Sequence, residues 1–484
     1  MPDDPTPIEV KSTGPAWGRG RRRLVNRWAS FLGAVSPQKT PTRLTTLPMD
    51  PWPGDAATGA KLARNADSWA VFWDAPDAGP DDGALNAGSS TPSIHEFAWL
   101  RDLRAIGGHD ARTCAHTLTR DWLDRFSRYS TAAPDGWRAD VMGARLVAWF
   151  SQFELFFVPA SDELRSDLLT ALVRQHRHLG WTAAREVEGI ARLTAIKGLL
   201  YRGLCLPDAD AAADTALELL EQELAAQLHD DGGCLERNPI IQAALVRHLT
   251  DIRATLKSSD LNVPKFITGA LRKAAPMVRM LRHADGKLAH FNGGYESDPS
   301  RIDLALAQAN IRARTPTSAP GSGYERLSVG KYLVLVDTGA PARHNGHAGA
   351  GSFEFSFGRE RLVVNCGAAQ TTDPAWRRAG RGTSAHSTLS IGDTNSSGIE
   401  DSGETDARIA AVTSERDESV GAIWLAVTHD GYAKPYGKLH QRRLYLSASG
   451  EDLRGEDILS PAPNTINPGS DDGSGPIFTI RFHL

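Results

Sequence analysis

The spacing of apolar residues changes once along this chain of 484 residues, and that change constrains the fold most strongly. Between about residues 92 and 284, apolar side chains recur every three or four positions, as in Leu118, Trp122 and Phe126. This spacing predicts amphipathic helices. From Tyr324 to Asp337 the residues are β-branched and alternate between apolar and polar, which predicts a strand. The sequence therefore predicts a helical domain followed by a β domain.

The helical part contains about eight predicted helices, joined by short breaks such as Asp230 to Gly233. Short connections favour antiparallel neighbouring helices, and no fixed-length repeat indicates a regular solenoid. We therefore predict a multidomain α+β protein with a boundary near residues 310–322. Its predicted parts are an extended or disordered leader over residues 1–60, a helical domain over 61–315 and an antiparallel β-sandwich over 322–484.

Charge and cysteine content exclude several classes of protein. The formal net charge is −4, so no basic field favours nucleic acid as a partner. The four cysteines, Cys114, Cys205, Cys234 and Cys366, are far apart and predict neither a disulfide framework nor a zinc ribbon. No apolar run approaches the roughly 18 residues of a transmembrane helix.

The two ends of the chain carry separate expectations. Arg21 to Arg23 precede a short apolar run from Trp28 to Val35, an order that faintly resembles an export signal. Because the run is short and no cleavage site stands out, we interpret it as a basic leader and keep export as the alternative. The final strand, Phe478 to Leu484, ends without a tail. An edge strand of this kind needs a partner, so we expect the natural chain to continue.

Three histidines, His344, His347 and His386, fall within the stretch from Arg343 to Ile391. Two alternating runs on either side of Gly358 predict a β-hairpin between the second and third histidine. A neutral imidazole can bind a metal or transfer a proton near neutral pH. Adjacent strands could therefore gather the three side chains into a site. The alternative interpretation is that they are loop histidines at the edge of a sheet.

Several sequence stretches together resemble the heparinase II/III family of polysaccharide lyases, over about residues 90 to 484. They are DGGCLERNP (231–239), SGYERL (322–327), HNGHAGAGSFEFSFGRERLVVNCG (344–367), AHSTLSI (385–391) and HDGY (429–432). The resemblance implies an N-terminal incomplete (α/α) toroid, a C-terminal antiparallel β-sandwich and a groove between them. The implied activity is β-elimination on a uronic-acid polysaccharide, heparin-like or otherwise acidic.

This elimination requires a group that neutralises the uronate carboxylate, a base for the C5 proton and an acid for the leaving O4. Family members resemble one another in using an Asn or His on a toroid helix, a Tyr on a nearby helix and a His that opens the β domain. The matching toroid positions in this chain hold Ile190, Ala191 and Ile241, with Gln242 where a His is expected. The resemblance therefore implies that the activity has moved to other side chains or has been lost.

The family's metal site implies a ligand set of His347, Asn365 and His386 in this chain. Asn is a poor zinc ligand. The neighbouring Cys366 would suit zinc, but adjacent strand residues face opposite sides of a sheet. We therefore expect either one structural zinc or a metal-free site held by hydrogen bonds.

Other side chains are candidates for the catalytic roles that the toroid lacks. His344 or Tyr295 would transfer the protons. Arg237 and Asn292 would hold the carboxylate, because an Arg can bind one with two parallel hydrogen bonds. The interpretations without function are a salt bridge from Arg237 to a neighbouring glutamate and a plain glycine-rich turn from Asn292 to Tyr295.

Three more residues are predicted to contact the sugar, namely Glu236 at the start of a helix, Asn345 beside the first histidine, and Trp122. Tryptophan stacks on sugar rings, but large aromatic side chains also fill helical cores, so both interpretations of Trp122 stay open. Glu236 also belongs to a third hypothesis, in which it pairs with Glu186 as the two carboxylates of a hydrolase.

The sequence thus favours a polysaccharide lyase that acts on an acidic polysaccharide or oligosaccharide. The alternative is a non-catalytic polysaccharide-binding or cell-envelope protein that retains the lyase fold. The family resemblance favours the cell envelope or periplasm as the location. The cytoplasm is the alternative, because no convincing signal peptide is visible.

Overall fold

The computed structural model describes ten segments of the chain and shows helices first and strands afterwards. The segments are residues 44–65, 73, 94–129, 135–207, 210–343, 345–369, 371, 373–399, 410–463 and 476–484. The predicted change from helices to strands is confirmed. The predicted domain limits themselves stay predictions.

Eleven α-helices form the helical domain within the described segments. They are α1 (Ala56–Arg64), α2 (Trp99–Ile106), α3 (Gly108–Phe126), α4 (Ala139–Ser151), α5 (Phe153–Phe156), α6 (Asp162–Thr182), α7 (Gly189–Cys205), α8 (Asp210–Gln227), α9 (Pro239–Ser258), α10 (Lys265–Met280) and α11 (Pro299–Ala309). Of the helices so described, none has the length and apolar content that crossing a bilayer requires.

Local sequence explains where the long helices begin. Helix α6 begins after Ser161, whose hydroxyl accepts the N–H of Leu164 at 3.3 Å. Helix α9 begins after Asn238, whose Oδ1 accepts the N–H of Ile240 at 2.8 Å, and Pro239 occupies its first position. Both are favourable N-terminal arrangements for a helix. The cap at Asn238 also fixes the turn that carries Glu236 and Arg237.

Helices α4 and α7 contact each other through their backbones. A Cβ atom on Gly198 would lie 2.6 Å from the Cα of Gly143, and one on Gly143 would lie 2.7 Å from the Cα of Ala195. Real Cβ atoms do not approach other atoms this closely, so only glycine permits this separation of the helix axes. The contact fixes α7, which begins at Gly189 beside the side chain of Glu236.

Residues 44–65 pack against the helical domain. Trp52 is buried, and its indole N–H donates to Oδ1 of Asp251 at 2.8 Å. Asp50 accepts a hydrogen bond from Nε of Arg101 at 2.8 Å. These contacts join the segment to helices α2 and α9, so it forms part of the wall of the helical domain.

The predicted leader is described only in its last part. Helix α1 begins at Ala56, inside the predicted leader, because the Asp55 carboxylate accepts the N–H of Ala57 at 2.8 Å and caps it. Residues 44–60 are therefore docked chain, with a helix at their end. Residues 1–43, with the arginines that precede the short apolar run, lie outside the described segments.

The β domain consists of three antiparallel sheets and two short helices in the described segments. Its strands are β1 (Ser318–Ala319), β2 (Tyr324–Val329), β3 (Tyr332–Asp337), β4 (Phe353–Phe357), β5 (Glu360–Val363), β6 (Leu389–Ile391), β7 (Val412–Ser419), β8 (Ala422–His429), β9 (Lys438–Leu446), β10 (Leu453–Pro461) and β11 (Phe478–Ile480). The sheet orders are β1-β2-β3-β4-β5, β10-β9-β8-β7 and β11-β6. The helices are α12 (Pro374–Arg381) and α13 (Ala433–Tyr436).

The two larger sheets share one apolar core, which makes the domain a β-sandwich. Alternate residues of each sheet point inward because side chains in a strand have a period of two. The first sheet contributes Leu327, Val334, Val336 and Phe353, and the second contributes Ile423, Leu425, Val427, Leu444 and Leu446. The predicted hairpin is present as β4 and β5, with Gly358 in its turn at φ 55°.

Candidate functional site

Arg237 joins the helical domain to the β domain. Its guanidinium donates to the carbonyl oxygens of Ser322, Gly323 and Ala340 at 2.7–2.9 Å and forms a buried ion pair with Asp337. These bonds use most of the five N–H donors of an arginine. The predicted role of Arg237 in holding a substrate carboxylate therefore finds no support in its contacts. The salt-bridge interpretation describes it, although the partner is Asp337 and not a neighbouring glutamate.

Asn292 belongs to the same buried junction. Its Nδ2 donates to Oδ2 of Asp337 at 2.9 Å and to the hydroxyl oxygen of Tyr324 at 3.0 Å. The Tyr324 hydroxyl in turn donates to the carbonyl oxygen of Arg237. The side chain of Asn292 is 3% exposed and its backbone has φ 47°, a left-handed value that Asn tolerates. The turn interpretation of Asn292 thus agrees with its contacts, and its amide N–H groups are occupied by protein.

Tyr295 and Trp122 lie in or against the helical core. Tyr295 is half-buried, and burial raises the pKa of its phenol to about 12. A base would need the opposite shift, so Tyr295 can donate a proton at neutral pH but cannot take one. Trp122 has 0% exposure, and its indole N–H donates to Nδ1 of His95 at 3.1 Å. No face of Trp122 is open to a sugar, so its predicted substrate contact is corrected to a core role.

The loop before strand β4 carries two predicted site residues. His344, our first candidate for proton transfer, lies outside the described residues. Asn345 is exposed and has φ 52°. Its side chain is therefore at a surface that a substrate can reach, and its predicted sugar contact stays a prediction.

His347 and His386 lie together, as the hairpin pattern predicted. Nδ1 of His347 is 3.2 Å from Nε2 of His386, and Nδ1 of His386 is 2.8 Å from the carbonyl oxygen of Gly382. A carbonyl only accepts, so His386 carries its proton on Nδ1 and accepts at Nε2. His347 must then donate from Nδ1, which leaves its Nε2 with a lone pair. We refer to these two residues as the junction histidine pair.

The free nitrogen of the junction pair faces the boundary between the domains. A Cβ atom on Gly293 would lie 3.6 Å from Nε2 of His347 and 2.9 Å from Nδ2 of Asn238. Burial, with the nearby His386 and Arg381, holds the pKa of His347 well below its usual range. His347 is therefore neutral at pH 7 and has the protonation state of a general base.

The expected zinc ligands do not form a complete set. Oδ1 of Asn365 accepts the N–H of Ser387 at 2.9 Å, and its Nδ2 donates to Glu354 at 3.1 Å. Both amide atoms are thus occupied, which leaves His347 and His386 as the donors. Within the described segments, no group of three or more His, Cys, Asp or Glu side chains is arranged to hold a metal. The residues present do not fit the expected three-ligand zinc site, and its metal-free alternative stays a prediction.

Glu354, which the sequence did not single out, sits at the centre of a buried network. Its carboxylate accepts from Nε2 of His283 at 2.8 Å and from the backbone N–H of His290 at 2.8 Å. Although burial opposes ionisation, these hydrogen bonds and charges lower the pKa of Glu354 to about 2. In the sequence, the sign of a buried role for Glu354 is its position between Phe353 and Phe355 in strand β4. The network fixes Asn365 and the strand that leads to the histidine pair.

A second histidine pair lies inside the sandwich, between strands β8 and β9. The N–H of Gly431 donates to Nδ1 of His429, and Nε2 of His429 lies 2.9 Å from Nδ1 of His440. Nε2 of His440 lies 2.7 Å from Asp457, which also forms two hydrogen bonds of 2.8 Å with Arg442. We call this the sandwich histidine pair.

Two toroid positions at which the family resemblance implies catalytic side chains line a small apolar pocket. Ile190 and Ile241 form its walls with Leu193 and Leu245. Gln242 is buried, accepts from the N–H of Cys234 at 2.8 Å and donates to two backbone carbonyl oxygens. The side chain that replaces the expected His is therefore structural.

Glu236 supplies the carboxyl group of this pocket. Burial, the largest effect, raises the pKa of its carboxyl to about 7. The other glutamate of the hydrolase hypothesis, Glu186, accepts the N–H of Ala139 at 3.1 Å at the start of α4. The Glu186 carboxylate therefore satisfies a backbone N–H group at the first turn of helix α4.

The helical toroid, the sandwich and the polar junction between them define a two-domain protein of the polysaccharide-lyase architecture. Two family models match it. The model described as "Heparinase II/III N-terminus" matches residues 112–309, and "Heparinase II/III-like, C-terminal" matches residues 311–484. The chain belongs to the heparinase II/III-like family.

Solved structures share this fold. The crystal structure of heparinase III has a TM-score of 0.66 and 15% identity, over 91% of this chain and 75% of that chain. A mutant heparan sulfate lyase HepC from Pedobacter heparinus has a TM-score of 0.58 and 14% identity, over 91% of this chain and 74% of that one. At such low identity the likeness concerns the fold, and it confirms the incomplete toroid followed by a β-sandwich.

A curated relative is considerably more similar in sequence. FtsZ-localized protein C of Caulobacter vibrioides (strain NA1000 / CB15N) is 31% identical over 461 residues, which are 92% of this chain and 78% of the relative. Its name states localisation with FtsZ and no chemical reaction.

Proposed function

We propose that this chain is a non-catalytic member of the heparinase II/III-like family that binds an acidic polysaccharide and acts where FtsZ is found. The observation that carries the proposal is the apolar pocket at the family's catalytic positions. Ile190 and Ile241 line this pocket, and the family resemblance implies a carboxylate-neutralising group and a proton-transferring phenol at these positions. Aliphatic side chains supply neither function.

The charge of the pocket also opposes β-elimination. A developing enolate must be stabilised by positive charge or by hydrogen-bond donors. The carboxyl group of the pocket belongs to Glu236, whose pKa of about 7 leaves it partly ionised at neutral pH. A carboxylate in this position repels a uronate carboxylate.

The two side chains that were expected to hold the substrate carboxylate are occupied. Arg237 and Asn292 hold Asp337 and the backbone of the junction. Freeing either one would leave Asp337 buried without a full set of partners, at a cost of several kcal/mol. These residues support the proposal by acting as a fixed link between the domains.

The similarity to FtsZ-localized protein C supports the proposed place of action. The family resemblance favours the cell envelope, and the relative's name adds localisation with FtsZ. We expect a fluorescent fusion of the full chain to overlap with FtsZ in dividing cells. A fusion that is distributed uniformly while FtsZ is localised would contradict this part of the proposal.

The catalytic part is tested by two assays on the same purified protein. One follows the ultraviolet absorbance of unsaturated uronate over a panel of acidic polysaccharides, with a heparinase III as positive control. The other measures binding to the same panel. We expect binding to at least one polymer without unsaturated product. Product formed in proportion to protein concentration would overturn the non-catalytic proposal.

One observation favours a lyase as the second candidate. The hydrogen bonds of the junction pair leave Nε2 of His347 as an unprotonated nitrogen at the domain boundary. If unsaturated product forms, we expect His347→Ala to lower its rate by about 10²–10⁴-fold, the usual contribution of a general base. The exposed His109 provides the matched control, and His109→Ala should leave the rate unchanged.

A further inference from the structure

A cavity of about 90 Å³ lies inside the helical domain. This volume is several times the ~10–15 Å³ that one water molecule needs. Its walls come from helices α4, α7 and α9 and from residues 49–53. Arg247 and Asp251 of α9 lie about 12 and 18 Å along the helix from its start at Pro239, at ~1.5 Å per residue. None of the residues that line this cavity also lines the pocket of Glu236, so the two are separate sites.

Most charged side chains of this cavity form pairs. Nζ of Lys197 is 2.6 Å from Oδ2 of Asp251, and both side chains are buried. Nε of Arg101 is 2.8 Å from Oδ2 of Asp50. Within each pair, the positive and negative charges neutralise each other. Both pairs also hold the docked N-terminal segment, because Asp50 belongs to it and Asp251 accepts a hydrogen bond from Trp52.

Arg247 differs from these residues. It lines the cavity, and its guanidinium carbon lies 4.7 Å from the ring centroid of Trp52. Among the described residues it makes no hydrogen bond and no ion pair. Burial, followed by the positive charge of Arg101, lowers the pKa of Arg247 to about 10. The planar guanidinium thus lies over an indole ring with its N–H donors available.

His248 presents an acceptor in the same cavity. The Thr194 hydroxyl donates to the carbonyl oxygen of Ile190 at 2.9 Å, so it accepts from Nε2 of His248 at 3.4 Å. Nδ1 of His248 then carries a lone pair. This atom is buried and has no hydrogen-bond partner in the described part of the chain. A buried acceptor without a donor is costly and indicates a missing group.

We propose that this cavity binds a small ligand that carries one carboxylate or phosphate group and at least one hydroxyl. Arg247 would bind the anionic group through parallel N–H donors, which is the geometry that guanidinium and oxyanion share. Trp52 contacts the guanidinium through its ring. Nδ1 of His248 would accept a hydrogen bond from the ligand's hydroxyl group. The ligand supplies the negative charge and the donor that the two side chains lack.

Direct binding measurements test the proposal with three probes: D-glucuronate, glucose 6-phosphate and sulfate. Isothermal titration calorimetry on the full chain should detect binding of at least one of the first two at millimolar concentration or below. Arg247→Met keeps the apolar stem over Trp52 and removes the charge, so affinity should fall at least tenfold. Arg272→Gln is the matched control, because Arg272 is an exposed cation on α10, and it should bind as the wild type does.

Thermal unfolding without ligand separates a binding role from a structural one. Arg247 forms no direct ion pair within the described segments, although Asp50 and Asp251 act on it electrostatically. Because burial is the largest effect on this cation, its removal in Arg247→Met should raise the melting temperature while ligand binding is lost. A structural role predicts a lower melting temperature. Should Arg247→Met fail to fold, Arg247→Lys serves instead. It keeps the charge, loses the parallel donors, and should bind at least tenfold more weakly.

The hydroxyl contact has its own variant. His248→Phe should weaken D-glucuronate and glucose 6-phosphate several-fold and leave sulfate unchanged, because sulfate has no hydroxyl to donate. The proposal is overturned if neither hydroxyl-bearing probe binds, or if binding survives in Arg247→Met.

Discussion

The two histidine pairs of the β domain share the same contact between ring nitrogens, but their chains of hydrogen bonds end in different groups. In the sandwich pair, the proton order runs from the N–H of Gly431 through His429 and His440 to Asp457. In the junction pair, His347 donates to His386, which donates to the carbonyl oxygen of Gly382. The first chain has a donor at one end and a carboxylate at the other. The second has a carbonyl at one end and a lone pair at the other.

This difference decides what each pair can do. Adding a proton to His429 or His440 breaks a hydrogen bond of the sandwich pair, because every ring nitrogen is already used. A proton added at Nε2 of His347 breaks none of the bonds of the junction pair. The same residue type in the same kind of contact is therefore closed to proton transfer in one place and open to it in the other.

Removing the carboxylate of the sandwich pair should have the largest effect. In Asp457→Ala the buried Arg442 loses its counter-ion and His440 loses its acceptor. We expect the free energy of unfolding to fall by about 3–5 kcal/mol, as for other broken buried ion pairs. Denaturant unfolding measures this. Asp452→Asn, which removes an exposed partner of Arg454, is the control, and an equal loss in both variants would contradict the prediction.

Lowering the pH should also destabilise the protein through the sandwich pair, by less than the removal of Asp457 does. Although burial opposes ionisation, His440 and Arg442 lower the pKa of Asp457 to about 2, from an ordinary value of 3.8. The depressed pKa means that this stabilisation is present above pH 3.8 and is lost as the pH falls towards 2. It amounts to about 2 kcal/mol.

Unfolding midpoints at a series of acidic pH values test this asymmetry. We expect Asp457→Asn to lose less stability than the wild type as the pH falls through this window. Asp452→Asn, the control with an exposed partner, should follow the wild type there. A wild-type slope in Asp457→Asn would show that other carboxylates control the acid response.

Metal removal should have little effect on either pair. Asn365 is held by Ser387 and Glu354, and the junction pair alone offers two nitrogens. We expect substoichiometric zinc by elemental analysis and an unchanged melting temperature after treatment with a chelator. One zinc per chain that disappears in His347→Ala would instead identify the junction pair as a metal site.

The smallest predicted difference between the two pairs is which ring nitrogen carries the proton. Long-range proton–nitrogen correlation by NMR should show His347 and His386 protonated on Nδ1, and His429 and His440 protonated on Nε2. These assignments follow from the carbonyl of Gly382 and the N–H of Gly431. A proton on Nε2 of His347 at pH 7 would remove the basis for its role as a base.

Most of the fold can be predicted from the sequence, because the spacing of apolar residues and the residues that form turns are local signals. Strands β7 and β10 were missed. They are the two edges of their sheet and are mostly exposed or half-exposed. An edge strand with polar residues on both faces lacks the alternation by which strands are recognised. The central strands β8 and β9 of the same sheet have that alternation, and the sequence predicts strands there, from Ala422 to Thr428 and from Lys438 to Leu446.

The candidate site was predictable only where its parts are close in sequence or joined by a hairpin. The proximity of His347 and His386 followed from the pattern of β4 and β5. The ion pair of Arg237 and Asp337 joins residues 100 positions apart, and no local pattern encodes such a partner. The same holds for Trp122, because periodicity does not distinguish a tryptophan in a core from one in a groove.

The docked N-terminal segment has a consequence for how the chain folds during synthesis. The hydrogen bond from Trp52 to Asp251 spans 199 residues. At a synthesis rate of ~5–20 residues per second, Trp52 waits on the order of 10–40 s for its partner to be made. Throughout that interval the first part of the helical domain lacks one wall. We therefore expect the nascent chain to become resistant to proteases only after helix α9 has left the ribosome.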